Sequence, residues 1–116
     1  MGITSITSII NKSDETVHIV KREDPRGDNV TLAPYDNSSE VIWIPWVENQ
    51  QDFENKTIEI TYSSNNRKIF LWQTGDKIRY SKNSYKYPGD AVEGSSEVDG
   101  LKKLVIEKNT ISLIKI

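Results

Sequence analysis

Ile58-Glu59-Ile60-Thr61-Tyr62-Ser63-Ser64-Asn65-Asn66-Arg67-Lys68-Ile69-Phe70-Leu71-Trp72 is the stretch that decides the fold. Two short bursts of β-branched and aromatic residues flank a Ser/Asn cluster. Such residues fit a pleated, half-buried surface. Asparagine tolerates the left-handed backbone that a tight turn needs. The stretch therefore reads as strand, turn, strand.

The same pattern repeats outward in both directions. Bursts of four to eight residues, rich in Ile, Val, Thr and Tyr, are bounded by Asn, Asp, Ser, Gly or Pro. Strands are expected near 4–11, 16–22, 29–33, 40–46, 56–62, 67–73, 77–81, 103–107 and 110–116. Their spacing of roughly ten residues predicts an all-β fold, an antiparallel β-sandwich of about eight or nine short strands. A partly open β-barrel is the alternative. Asn11-Lys12-Ser13-Asp14 reads as a hairpin turn, as do Gly75-Asp76 and Lys108-Asn109. In the last strand Ile111 and Leu113 share one face and Ile114 and Ile116 the other, so coverage on both sides is expected. Residues 47–55 contain only Val47 and Phe53 as apolar anchors and predict a loop or a single turn. Residues 82–100 stand out as one long connection, and such loops are usually functional or disordered.

The 116 residues suit one domain, spanning 1–116, with one core. Apolar residues make up 35% and charged residues 28%, but the apolar ones cluster, which favours a folded chain over a disordered one. The chain has no cysteine, which excludes disulfides, thiolate nucleophiles and cysteine metal sites. No apolar run approaches a membrane span, and the first residues lack the pattern of a signal peptide. Together these features predict a cytoplasmic protein without a transmembrane segment.

Catalytic chemistry finds little support. His18 is the only histidine, and no nucleophile elbow, phosphate loop or dinucleotide glycine pattern occurs. No catalytic residue, cofactor or metal is expected. Two acidic groups, Glu23, Asp24, Asp28 and Asn29, then Asp90, Glu93, Glu97 and Asp99, offer oxygens but miss the EF-hand spacing. They read as solvated loops. Arg26-Gly27-Asp28 reads as a turn.

Aromatic and basic residues carry the functional signal. Trp43-Ile44-Pro45-Trp46 holds two of the three tryptophans, and Trp72 is the third. Trp43 and Trp46 are three apart, so an extended strand would point them to opposite faces, one core and one exposed. Pro45 ends regular pairing there. Residues 1–58 hold five basic and ten acidic side chains, against ten and seven in residues 59–116. Between 67 and 86, six cations oppose Asp76 alone. The expected ligand-binding set is Trp46, Trp72, Arg79, Lys82, Tyr85, Lys86 and Tyr87, formed where the 82–100 segment meets the strand ends.

Short strands, Asn-rich turns and aromatic loops are broadly similar to those of small β-sandwich lectins and membrane-binding cytolysins. The resemblance implies a non-enzymatic, lectin-like module that binds carbohydrate through aromatic and polar loop residues. Membrane-surface, cytolysin-like lipid binding is the alternative, and a partner-specific interaction or assembly role is the second. The expected partner is a carbohydrate or an anionic surface. No specific nucleic acid is expected, and oligomerisation stays open.

Overall fold

Nine β-branched and aromatic bursts become strands close to the positions that their composition sets. The computed structural model describes residues 3–24, 26–27, 29–83 and 89–116. In chain order the elements are β1 (Thr4–Asn11), β2 (Val17–Lys21), β3 (Asn29–Leu32), β4 (Asn37–Ser38), β5 (Ile42–Trp43), α1 (Gln50–Lys56), β6 (Ile58–Tyr62), β7 (Lys68–Gln73), β8 (Ile78–Lys82), β9 (Asp90–Ala91), β10 (Glu93–Gly94), β11 (Gly100–Ile106) and β12 (Ile111–Lys115). Strand accounts for 52% and helix for 7%. The expected β-sandwich is present, and it is not closed into a barrel.

Two six-stranded sheets form it. The first runs β10-β12-β11-β1-β4, with β5 also pairing on β1, and the second runs β3-β2-β6-β7-β8-β9. The second sheet is antiparallel throughout. The first is mixed. β1 lies parallel to β11, from Thr4 opposite Gly100 to Asn11 opposite Ile106, with a bulge between Ile6 and Ser8. β10 lies parallel to β12. Neither parallel pair is visible in local turn signals, because its partners are joined by long crossovers.

Inward positions of both sheets meet in one core that includes Ile6, Ile9, Ile19, Ile60, Leu104 and Leu113. A smaller core lies on the outer face of the second sheet. There α1 places Phe53 on Phe70 and Trp72, edge to face, with ring centroids 4.7 and 5.8 Å apart. β7 is thus buried on both faces. The Arg22 guanidinium covers the rings of Phe53 and Phe70. Gly89 closes the Trp72 edge at φ +85°, and a Cβ there would sit 2.5 Å from the indole.

Four sequence expectations change. Within 47–55, where the sequence predicts a loop or a single turn, the seven-residue helix Gln50–Lys56 begins. The Asn49 side chain caps it by accepting from the Asp52 amide at 2.8 Å, and Phe53 alone anchors it. Asn11–Asp14 is not a hairpin turn, because β1 and β2 belong to different sheets. Asn11 is instead a buried corner. Its amide donates to the carbonyls of Glu15 and Ala33, and its oxygen accepts from Ser13. The 82–100 segment is not a bare loop, since β9 joins one sheet and β10 the other. Finally, Ile114 and Ile116 are exposed, although β12 is paired on both edges.

Leu113 is 1% exposed and faces the main core. Leu113→Ala should lower unfolding stability by about 2–5 kcal/mol, read from chemical denaturation. A loss under about 0.5 kcal/mol, typical of a surface site, would contradict its core placement.

Candidate functional site

The segment from Ile42 to Val47 starts in one sheet and ends against the other. Ile42 pairs with Ile6 and points inward; Trp43 pairs with Ser5 and points outward. The Ile44 amide donates to the Thr4 carbonyl at 2.9 Å. Pro45 has no N–H, and the chain leaves β1 there. The Pro45 carbonyl then accepts from the Gln73 amide at 2.8 Å, and the Val47 amide donates to the Gln73 carbonyl at 3.1 Å. The segment is therefore a strap joining β1 to the end of β7.

A buried polar node holds the strap. Gln73 is 1% exposed. Its side-chain nitrogen donates to the Ile44 carbonyl at 2.8 Å, and its oxygen accepts from the Thr4 hydroxyl at 2.9 Å. The Thr4 oxygen in turn accepts from the Asp99 amide at 2.7 Å. Each buried polar group in the node has a partner, as burial demands.

Trp43 is 57% exposed and Trp46 is half-buried, so both indoles border solvent. Between and below them lies a groove of about 180 Å³, lined among others by Lys21, Glu23, Lys56 and Gln73. A wider hollow of about 300 Å³ continues past Trp43 toward Val41, Glu23 and Asp24. The Lys21 ammonium lies 3.4 Å from a Glu23 carboxylate oxygen, while Glu23 itself stays half exposed. Lys56 lies 3.8 Å from Asp52 across one helical turn. The groove thus combines flat apolar faces with acceptors and donors at its rim. Such a mixture is what a polar small molecule with one apolar face requires.

The described members of the expected site, Trp46, Trp72, Arg79 and Lys82, do not converge. Trp46 belongs to the groove. Trp72 is fully buried under Phe53, so its indole is a core element and offers no platform. Arg79 is engaged locally, donating to Thr74, to the Gly89 carbonyl and to Asp76. Lys82 pairs with Ile69 in β7, four residues from Gln73, and so lies toward the opposite end of the sandwich. Tyr85, Lys86 and Tyr87 lie outside the described residues, as does Asp28 of the Arg26-Gly27-Asp28 turn.

Lys82 lines a separate hollow of about 140 Å³ with Tyr62, Arg67, Lys68, Ile69, Asn83 and Asn109. Its neighbouring cations are largely neutralised. Arg67 stacks 4.6 Å above the Tyr62 ring and bonds Glu15 at 2.9 Å. Lys68 bonds Glu59, which Arg22 also holds at 2.6 Å. Burial opposes the Glu59 charge, but the bonds from Lys68 and Arg22 keep its carboxyl below the ordinary range. Burial pushes the Tyr62 phenol up to about 12, and its hydroxyl donates to the Glu107 carbonyl. These contacts tie the β6–β7 turn to the β11–β12 turn.

Among the described residues no group of three His, Asp or Glu side chains is placed to hold a metal. His18 sits exposed on β2, within 3.0 Å of the Thr31 hydroxyl. No described helix is long and apolar enough to cross a membrane.

The expected ligand-binding set omits Trp43, Lys21, Glu23, Asp24, Lys56 and Gln73, which line the groove and the hollow beside it. The available signal was Pro45. By ending the strand it cancels the two-residue alternation that would hide one indole. No protein-family model matches the chain, and no curated protein or solved structure matches it either.

The three tryptophans should separate in solution. Trp43→Phe should remove most of the acrylamide-quenchable fluorescence. Trp72→Phe should leave that fraction in place and remove a blue-shifted, unquenched component. Equal quenching of all three would contradict the buried position of Trp72.

Proposed function

We propose that the protein is a non-enzymatic binding module that recognises carbohydrate in the Trp43–Trp46 groove. The observation that carries the reading is the half-exposed Trp43 indole standing beside the Lys21–Glu23 pair. A pyranose ring has one face of C–H groups and a rim of hydroxyls. The indole face suits the first, and its large area costs little rotamer entropy on binding. The Glu23 and Asp24 carboxylates suit the hydroxyl donors, and Lys21 and Lys56 suit the hydroxyl acceptors.

Pre-organisation supports the same reading. The strap is bonded at Ile44, Pro45 and Val47, so the indoles are placed before a ligand arrives. Little ordering free energy is then lost on binding. Trp46 is retained from the residues expected by sequence, and Trp43 takes the place given there to Trp72.

A glycan array followed by titration calorimetry on the best hit tests the proposal. Trp43→Ala should weaken that affinity by about tenfold, the upper range for an aromatic contact. Glu23→Gln should also weaken it, since the carboxylate is the stronger acceptor. An array without a hit, or a hit that Trp43→Ala binds unchanged, would overturn the proposal.

A further inference from the structure

Among the described residues, six of the seven exposed large apolar side chains share one surface. They are Ile3, Val41, Trp43, Leu101, Ile114 and Ile116; Tyr35 is the seventh. The strand registers place them together. Ser5 of β1 has Trp43 on one side and Leu101 on the other. The Ile116 amide bonds the Leu101 carbonyl, which extends the row across β12. Ile114 stands opposite Lys103, one step along. Ile3 and Val41 fall on the same face by the two-residue alternation. Their neighbours Thr4, Ile6, Ile42, Lys102 and Leu104 point inward and are buried. The outer face of the first sheet thus carries a contiguous apolar patch, unlike the scattered single side chains of an ordinary surface.

The charge pattern names the occupant. Among the outward positions of β1, β5, β11 and β12, Lys103 is the one charged side chain, amid Ser5, Ser8 and Ser112. Carboxylates stand at its borders: Glu93 on the edge strand β10 opposite Ser112, and Glu23 and Asp24 beside Val41 and Trp43. If this face packed on the same face of a second copy, each Lys103 would leave water with no carboxylate on its own or the adjoining outward strand positions, Glu93 lying two strands away, which is costly. A phospholipid surface supplies what the face lacks. Its phosphates receive the Lys103 ammonium while the aliphatic stem lies on apolar neighbours. Trp43 stands at the border between the apolar patch and the polar groove, the amphipathic position that indoles occupy at membrane–water boundaries. The second sheet differs, because α1 and the Arg22–Glu59–Lys68 cluster cover its outer face.

We infer that the outer face of the first sheet docks on a phospholipid bilayer surface, with Leu101, Ile114 and Ile116 against the acyl boundary and Lys103 at the phosphates.

Vesicle cosedimentation tests this directly, using phosphatidylcholine vesicles and phosphatidylcholine vesicles containing phosphatidylserine. The protein should sediment with both, more with the second, and Trp43 emission should shift to the blue. Leu101→Glu and Ile114→Glu should each weaken binding by about tenfold or more, the loss expected for one buried aliphatic side chain. Both positions are about half exposed, so unchanged thermal unfolding separates lost docking from lost folding. Lys103→Gln should reduce the preference for phosphatidylserine and leave binding to phosphatidylcholine. Three results would overturn the inference. One is no sedimentation with either vesicle. Another is binding that salt abolishes and Leu101→Glu does not change. The third is a two-chain mass by light scattering that Leu101→Glu returns to one chain, which would give this face to a second copy. None of these results depends on the groove binding sugar.

Discussion

The Gln73 side chain, clamped between the Thr4 hydroxyl and the Ile44 carbonyl, is the interaction on which the arrangement depends. Thr4 belongs to one sheet and Gln73 to the other, so this buried pair fastens the layers at one end of the sandwich. The backbone of Gln73 holds Pro45 and Val47 at the same point. A buried amide left unsatisfied costs more than a hydrogen bond gains, so the node favours one geometry strongly over its alternatives. That geometry turns Trp43 outward, keeps Trp46 at the surface and sends the chain on toward α1.

The opposite end is closed by different chemistry. Tyr62 reaches from β6 to the β11–β12 turn, and Arg67 lies on its ring while holding Glu15 and the Lys108 carbonyl. A bond from the Ser64 backbone holds the Glu15 carboxyl below its ordinary range; burial opposes this, and Arg67 adds to it. Between the two ends, hydrophobic burial is continuous. The sandwich thus has a polar fastening at each end of an apolar middle. The cations that look free in sequence, Arg67 and Lys68, serve this structural role.

Most of the fold was legible because local rules set it. β1 spans 4–11 as its burst predicts, and Asn66 takes the left-handed turn conformation at φ 58°. What was not legible is long-range. The pairing of β1 with β11 joins residues almost a chain length apart, and no local spacing encodes it. Asn11 reads as a turn residue by type, yet its five side-chain polar contacts place it in a buried corner. The helix at 50–56 escaped because one aromatic side chain, docked on two others, replaces a full amphipathic stripe. The burial of Trp72 escaped for a similar reason. Trp72 looks like Trp46 in sequence, and only the helix above β7 decides that it is core.

Function in this account follows from how rigidly the strap presents its indoles. The groove proposed to bind sugar and the face proposed to dock on lipid meet at Trp43, and both proposals need that side chain fixed. Native-state hydrogen exchange of the Ile44, Val47 and Gln73 amides measures this most directly. Each donates a backbone bond within the strap, and all three residues are buried. The account predicts protection comparable to that of the central β1 and β7 amides, which open only with global unfolding. Exchange as fast as an exposed loop would contradict it, and would show that the tryptophans are carried on a freely opening segment.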